Sequence, residues 1–109
     1  MNNDDSTPGT VVCVTIVAES LLEARLVEHL KGAGARGWTI SAARGEGPQD
    51  RRVSEIEGGN IRVETLVSHE VADRIWSRLA EDYFADYAIA AWAYDVRVAR
   101  PGRYLPEQS

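Results

Sequence analysis

Val11-Val-Cys-Val-Thr-Ile-Val17 is an almost unbroken β-branched run, the pattern of a short strand buried on both faces. The period then becomes helical. Leu22, Leu26, Val27 and Leu30 recur on one side, Ser20-Leu-Leu-Glu23 has the form of a capping box, and Gly34 supplies a stop. This predicts a helix over 20–33. Trp38-Thr-Ile-Ser-Ala-Ala43 alternates with period two, placing Trp38, Ile40 and Ala42 on one face of a second strand. Ile61, Val63 and Thr65 alternate against Arg62, Glu64 and Leu66, a third strand ending near Val67. Ser68 can cap a second helix whose apolar stripe is Val71, Ile75, Leu79 and Tyr83, widened by Ala72 and Trp76. From Ala88 to Val98 the alternation returns, with Trp92, Tyr94, Val96 and Val98 opposed to Ala91, Ala93, Asp95 and Arg97.

The order β-α-β-β-α-β predicts an α+β protein, a ferredoxin-like sandwich with one helical layer over an antiparallel sheet. Two helices can cover only one sheet face. The other also carries apolar side chains, so a homo-oligomer is the economical cover for it. The expected organisation is a flexible segment over 1–9, one domain over 10–98 and a C-terminal tail over 99–109. Strands two and three are joined by a long loop at about 45–59, where Pro48, mixed charges and several glycines replace any apolar period. Unstructured loops of that length are uncommon in compact domains and are often functional or disordered.

Composition narrows the function. The 109 residues are 44% hydrophobic, enough for a single core that buries roughly 65% of the unfolded surface. Twelve basic against 17 acidic residues give a net charge of −5, which argues against nucleic acid as a partner. The single cysteine, Cys13, cannot close an intrachain disulfide and fits a reducing compartment. No run approaches the ~20 apolar residues of a membrane span. The acidic, polar start has no signal-peptide pattern. A cytoplasmic protein without direct membrane insertion is expected. Catalytic candidates are sparse: His29 and His69 lie on the helices as surface or capping residues, and Cys13 falls inside a buried strand. No Cys/His spacing suits a metal. Trp38, Trp76 and Trp92 read as core or interface residues, and Tyr104 is the one tail aromatic placed to close over a ligand. A non-enzymatic protein is the expectation.

The basic residues are unevenly chosen: 11 are arginine and only Lys31 is lysine. Arg44, Gly45, Gly47, Arg51 and Arg52 gather at the long loop. Glycines there let backbone N–H groups surround an oxyanion, and arginines add bidentate donors. By themselves these residues fit a solvated loop of mixed charge equally well. Arg97, Arg100 and Arg103 follow the last strand and on their own read as a charged tail.

The stretch Gly37-Trp-Thr-Ile-Ser-Ala-Ala-Arg-Gly-Glu-Gly-Pro-Gln49 resembles the approach to the T-loop of PII signalling proteins, where a Gly-aromatic-Thr or Gly-Met-Thr strand runs into Gly-x-Gly-x-Gln. Asn60-Ile-Arg-Val-Glu-Thr-Leu66 and Tyr94-Asp-Val96 fall in register with that family, and the resemblance covers about residues 11–104. Ser54-Glu-Ile-Glu57 and Tyr83-Phe-Ala-Asp-Tyr-Ala88 bring it closer to the PII-like branch of bicarbonate transport and carboxysomes, the SbtB and CPII types.

What the resemblance implies is a homotrimer with adenine nucleotides in clefts between subunits. Carried over by position, Thr39, Glu64, Leu66, Tyr87 and Ala88 surround the adenosine part. Gly45, Gly47, Gln49, Arg51 and Arg52 approach the phosphates from the loop, and Arg100 and Arg103 approach them from the tail. Arg44, Gly45, Gly47, Arg51 and Arg52 would also suit bicarbonate. Departures from the family qualify this picture. Ala88-Ile-Ala90 stands where PII proteins carry a Gly-Lys phosphate-binding pair, which favours AMP or ADP over ATP with magnesium. Asn60 replaces the lysine that pairs with 2-oxoglutarate, which weighs against that effector, and the loop has no tyrosine for uridylylation. The expected function is nucleotide sensing signalled through the T-loop to a bicarbonate transporter or carboxysome-related protein. The alternatives are a weak nucleotide hydrolase on the same scaffold and a PII-shaped interaction module without ligand.

Overall fold

The computed structural model describes residues 9–45 and 59–105. Its elements are β1 (Gly9–Glu19), α1 (Glu23–Ala33), β2 (Thr39–Ala43), β3 (Asn60–Val67), α2 (His69–Asp82) and β4 (Ala90–Val98). Short 3-10 turns at Ser20–Leu22 and Pro101–Arg103 complete them. The strands form one antiparallel sheet in the order β2-β3-β1-β4. This is the expected βαββαβ ferredoxin-like arrangement. The positions 1–8, 46–58 and 106–109, including Gly47, Gln49, Arg51 and Arg52, lie outside the described residues.

The core lies between the sheet and its helices. Val12, Val14, Ile16 and Ala18 of β1 and Ile61, Val63 and Val67 of β3 meet Leu22, Leu26, Leu30 and Ala33 near α1. From α2 come Val71, Ala72, Ile75 and Leu79, with Tyr83 beyond them. Two elements therefore bury the stripes their periodicity marked. Trp38 and Ile40 pack on the same side, while Trp92 belongs to the opposite face. On that open face Val11, Cys13 and Thr15 are still buried, because β1 is central and long side chains of β3 and β4 flank it. Trp92 and Tyr94, on the edge strand β4, are 42% and 48% exposed there.

Helix ends follow local chemistry, with one correction. Ser68 Oγ accepts from Val71 N at 3.2 Å, capping α2 as expected. Gly34 ends α1 at φ +108°, a backbone conformation that favours glycine. The capping box at Ser20 and Glu23 does not form. The chain makes a 3-10 turn over Ser20–Leu22, α1 begins only at Glu23, and Leu22 precedes it without a side-chain cap. Ser20 N instead donates to Gly59 O at 3.0 Å, so the amide a capping box would use is already satisfied. That bond ties the end of β1 to the residue before β3. At the other end Pro101 sits against Gly9, so close that a Cβ on Gly9 would fall 2.8 Å from Pro101 Cγ.

Candidate functional site

The register of the sheet brings two predicted ligand residues, Thr39 and Glu64, into one row on the open face. Thr39 pairs with Glu64, Glu64 with Thr15, and Thr15 with Trp92. The next row of that face is Leu66, Cys13 and Tyr94. Thr65 Oγ1, pointing the other way, donates to Gly37 O at 2.6 Å and fixes the entry to β2 just before Thr39.

Glu64 is the polar centre of this surface. Its Oε2 accepts from Arg62 Nη2 at 3.0 Å, from Thr15 Oγ1 at 3.4 Å and from the Cys13 thiol at 4.0 Å. Donors on two strands thus orient one half-buried carboxylate. Arg62 and Thr15 were not among the predicted site residues; alternation along β3 places Arg62 beside Glu64, and the β1–β3 register places Thr15 there. Tyr94 neighbours the same network: its hydroxyl pKa is raised, mainly by a hydrogen bond with Cys13.

Arg44 and Gly45 continue β2 past Ala43, which pairs with Asn60. A cavity of about 580 Å³ lies here, lined by Ser20, Glu23, Ala42, Arg44, Gly59 and Asn60. Asn60 is 4% exposed, and neither its amide nitrogen nor its carbonyl oxygen finds a partner among the described residues. A buried amide in that state is a strong donor and acceptor for whatever reaches it.

Tyr87 and Ala88 form the turn into β4 at this same end, since Ala90 pairs with Val17. Arg100 and Arg103 lie at the opposite end, beyond the pairing of Val98 with Gly9. The row of Ala43, Asn60 and Glu19 is ten β1 positions from the row of Gly9 and Val98, about 34 Å at 3.4 Å per residue. One chain therefore does not bring Arg44 together with Arg100 and Arg103.

The histidines stand apart from this surface. His29 is packed between the helices, edge-on to the Tyr83 ring at 4.9 Å, with Nε2 3.5 Å from Asp82 Oδ2. It is half-buried rather than fully on the surface, and it caps neither helix. His69 opens α2, exposed, with Nε2 3.4 Å from Asp95 Oδ1. Among the described residues no group of three or more His, Cys, Asp or Glu could hold a metal ion. No described helix is long and apolar enough to cross a membrane.

Comparison with known proteins agrees with this architecture. The model of the family described as nitrogen regulatory protein P-II matches residues 11–103. A solved structure described as a candidate PII-like signaling protein from Thermus thermophilus is 52% identical, with a TM-score of 0.77 over 89% of this chain and 97% of that one. CPII from Thiomonas intermedia K12, bound to ADP, AMP and bicarbonate, is 17% identical with a TM-score of 0.81 over 93% of this chain and 99% of its own. The GlnK–ATP complex of B. subtilis is 20% identical, with a TM-score of 0.58 over 80% of this chain and 83% of its own.

Proposed function

This chain belongs to the nitrogen regulatory protein P-II family, and from that premise we propose that it is a non-enzymatic sensor of AMP or ADP. One nucleotide binds per cleft between the subunits of a homotrimer, joined by bicarbonate at the loop base. The observation that carries this reading is the division of the anion-binding groups. Arg44, Gly45, Tyr87 and Ala88 stand at one end of an uncovered sheet and Arg100 and Arg103 at the other. Among the described residues the two ends of one chain do not meet; copies that cover one another's open faces bring the loop end of one to the tail end of the next. The Thr39–Glu64 row lies between them, with a polarised carboxylate suited to the hydroxyls or amino group of a nucleoside.

AMP and ADP are favoured because the turn before β4 reads Ala88-Ile-Ala90 and offers no lysine to a γ-phosphate. The CPII structure with ADP, AMP and bicarbonate supports the same ligand set. Arg44 and the unpartnered Asn60 amide beside the cavity suit a small oxyanion such as bicarbonate. Gly47, Gln49, Arg51 and Arg52 then close over the phosphates, and the loop so ordered is what a cytoplasmic partner in inorganic-carbon handling reads. Driving such a loop from 1:99 to 99:1 takes about 5.5 kcal/mol of differential affinity.

Isothermal titration with AMP, ADP and ATP, each with and without bicarbonate, tests the proposal. The expected result is one nucleotide per chain, with AMP or ADP tighter than ATP and tighter still with bicarbonate. Absence of heat with every nucleotide at millimolar concentration overturns it.

A further inference from the structure

The turn that leads into β4 is held from an unexpected direction. After α2 the chain folds tightly on itself: Asp86 N and Tyr87 N donate to Tyr83 O at 3.0 and 2.9 Å, and Ile89 N donates to Tyr87 O at 3.1 Å. Tyr83 is fully buried and anchors one side of this turn. The ring of Tyr87 lies 5.9 Å from that of Tyr83, tilted by 49°. Arg25, an exposed residue of α1, reaches over both. Its guanidinium carbon is 5.0 Å from the Tyr83 ring centre and 5.6 Å from that of Tyr87. Its Nη1 donates to Tyr87 Oη at 3.0 Å. A planar cation stacked near two rings and bonded to one hydroxyl is a directional clamp that lysine would not reproduce.

The clamp sits one residue from Ala88, in the segment that on the nucleotide-sensing reading meets the ligand. A turn without a phosphate-binding lysine contributes through the placement of its backbone, and that placement depends on what fixes Tyr87. We propose that Arg25 is a positioning residue of the nucleotide site, holding the Tyr87–Ala88 turn in its ligand-ready conformation by bridging Tyr83 and Tyr87. The inference rests on the nucleotide-sensing reading for its effect on affinity. The clamp itself is observable in the free protein.

The test uses Arg25→Gln, Arg25→Lys and Tyr87→Phe in the full chain, with Arg74→Gln as control. Arg74 Nη1 also links the two helices, donating to Ala33 O at 2.8 Å, but at the C-terminal end of α1 and remote from the turn. Amide exchange at Tyr87 and Ile89, whose amides donate within the turn, reads the clamp, and titration with AMP and ADP reads its consequence. Arg25→Gln is expected to speed exchange at Tyr87 and Ile89 and weaken nucleotide binding about tenfold, with Arg25→Lys restoring only part. Tyr87→Phe loses the same bond, so the double variant should bind no worse than Arg25→Gln alone. Arg74→Gln is expected to lower the melting temperature and leave affinity unchanged. Parent-like affinity and exchange in Arg25→Gln overturn the proposal, as does an equal loss of affinity in Arg74→Gln. If the parent chain binds no nucleotide, the sensing reading fails, and unchanged exchange at Tyr87 and Ile89 in Arg25→Gln would then refute the clamp separately.

Discussion

Glu64 shows how little of a site one residue's identity conveys. Its alternation with Val63 and Thr65 marks it as a face residue of a strand, and the resemblance to PII proteins marks it as a ligand position. What makes its carboxylate a fixed acceptor comes from elsewhere, from Arg62 two positions earlier and from Thr15 on the neighbouring strand. His29 is the converse case. Its spacing suggests a surface residue, yet the Tyr83 ring encloses one side of it. Burial lowers its pKa from the ordinary value, Arg78 and Arg25 push the same way, and Asp82 opposes them. The folded chain therefore resists taking up a proton that the unfolded chain accepts below about pH 6.5. Stability from this group is complete above that value. It falls as the pH drops towards the lower folded pKa, and does not change further beneath it. Urea midpoints measured between pH 7.5 and 5.5 should fall more for the parent chain than for His29→Gln. Parallel curves would show that the interhelical contact does not discriminate between the two protonation states.

Elements were legible wherever the signal was periodic. Period two marked β2, β3 and β4, a β-branched run marked β1, and the stripe from Val71 to Tyr83 marked α2, each within a few residues of its observed ends. The start of α1 was not, because a capping box is a local pattern competing with a distant partner. Gly59 O takes the Ser20 amide, and residue 59 lies far along the chain where no local pattern reaches it. Ser68 meets no such competitor and caps α2 as its pattern indicates. The two serines should therefore respond differently to truncation. Ser68→Ala is expected to cost about 1 kcal/mol in chemical denaturation, the usual loss for an N-cap. Ser20→Ala, whose hydroxyl caps nothing, should stay within about 0.5 kcal/mol of the parent. Equal losses would mean that the 3-10 turn depends on the Ser20 side chain as well as on its amide.

At the scale of the whole molecule, the deciding feature is what one chain leaves unfinished. Both outer strands, β2 and β4, present free edges within the described sheet, and the face away from the helices exposes Trp92 and Tyr94. An apolar face of this kind needs a partner. That this face carries apolar residues was legible in the alternation of β4, which puts Trp92 and Tyr94 on one side. The separation of Arg44 from Arg100 and Arg103 was not, because it depends on the directions and register of the strands, which no local pattern encodes. If the nucleotide site spans two copies, assembly and binding are linked, and a change that blocks one must weaken the other. Trp92→Glu places a charge on the open face two strands from Glu64, at a position not proposed to meet the nucleotide. In sedimentation it is expected to run as a folded monomer where the parent runs as a trimer, and in titration it should lose AMP and ADP binding. Raising the protein concentration until the variant reassembles should restore binding in step with the trimer fraction. A monomeric Trp92→Glu that binds nucleotide as tightly as the parent would place the whole site within one chain. The span of about 34 Å between the two end rows of the sheet would then leave Arg44 and Arg100 unable to contact one ligand together.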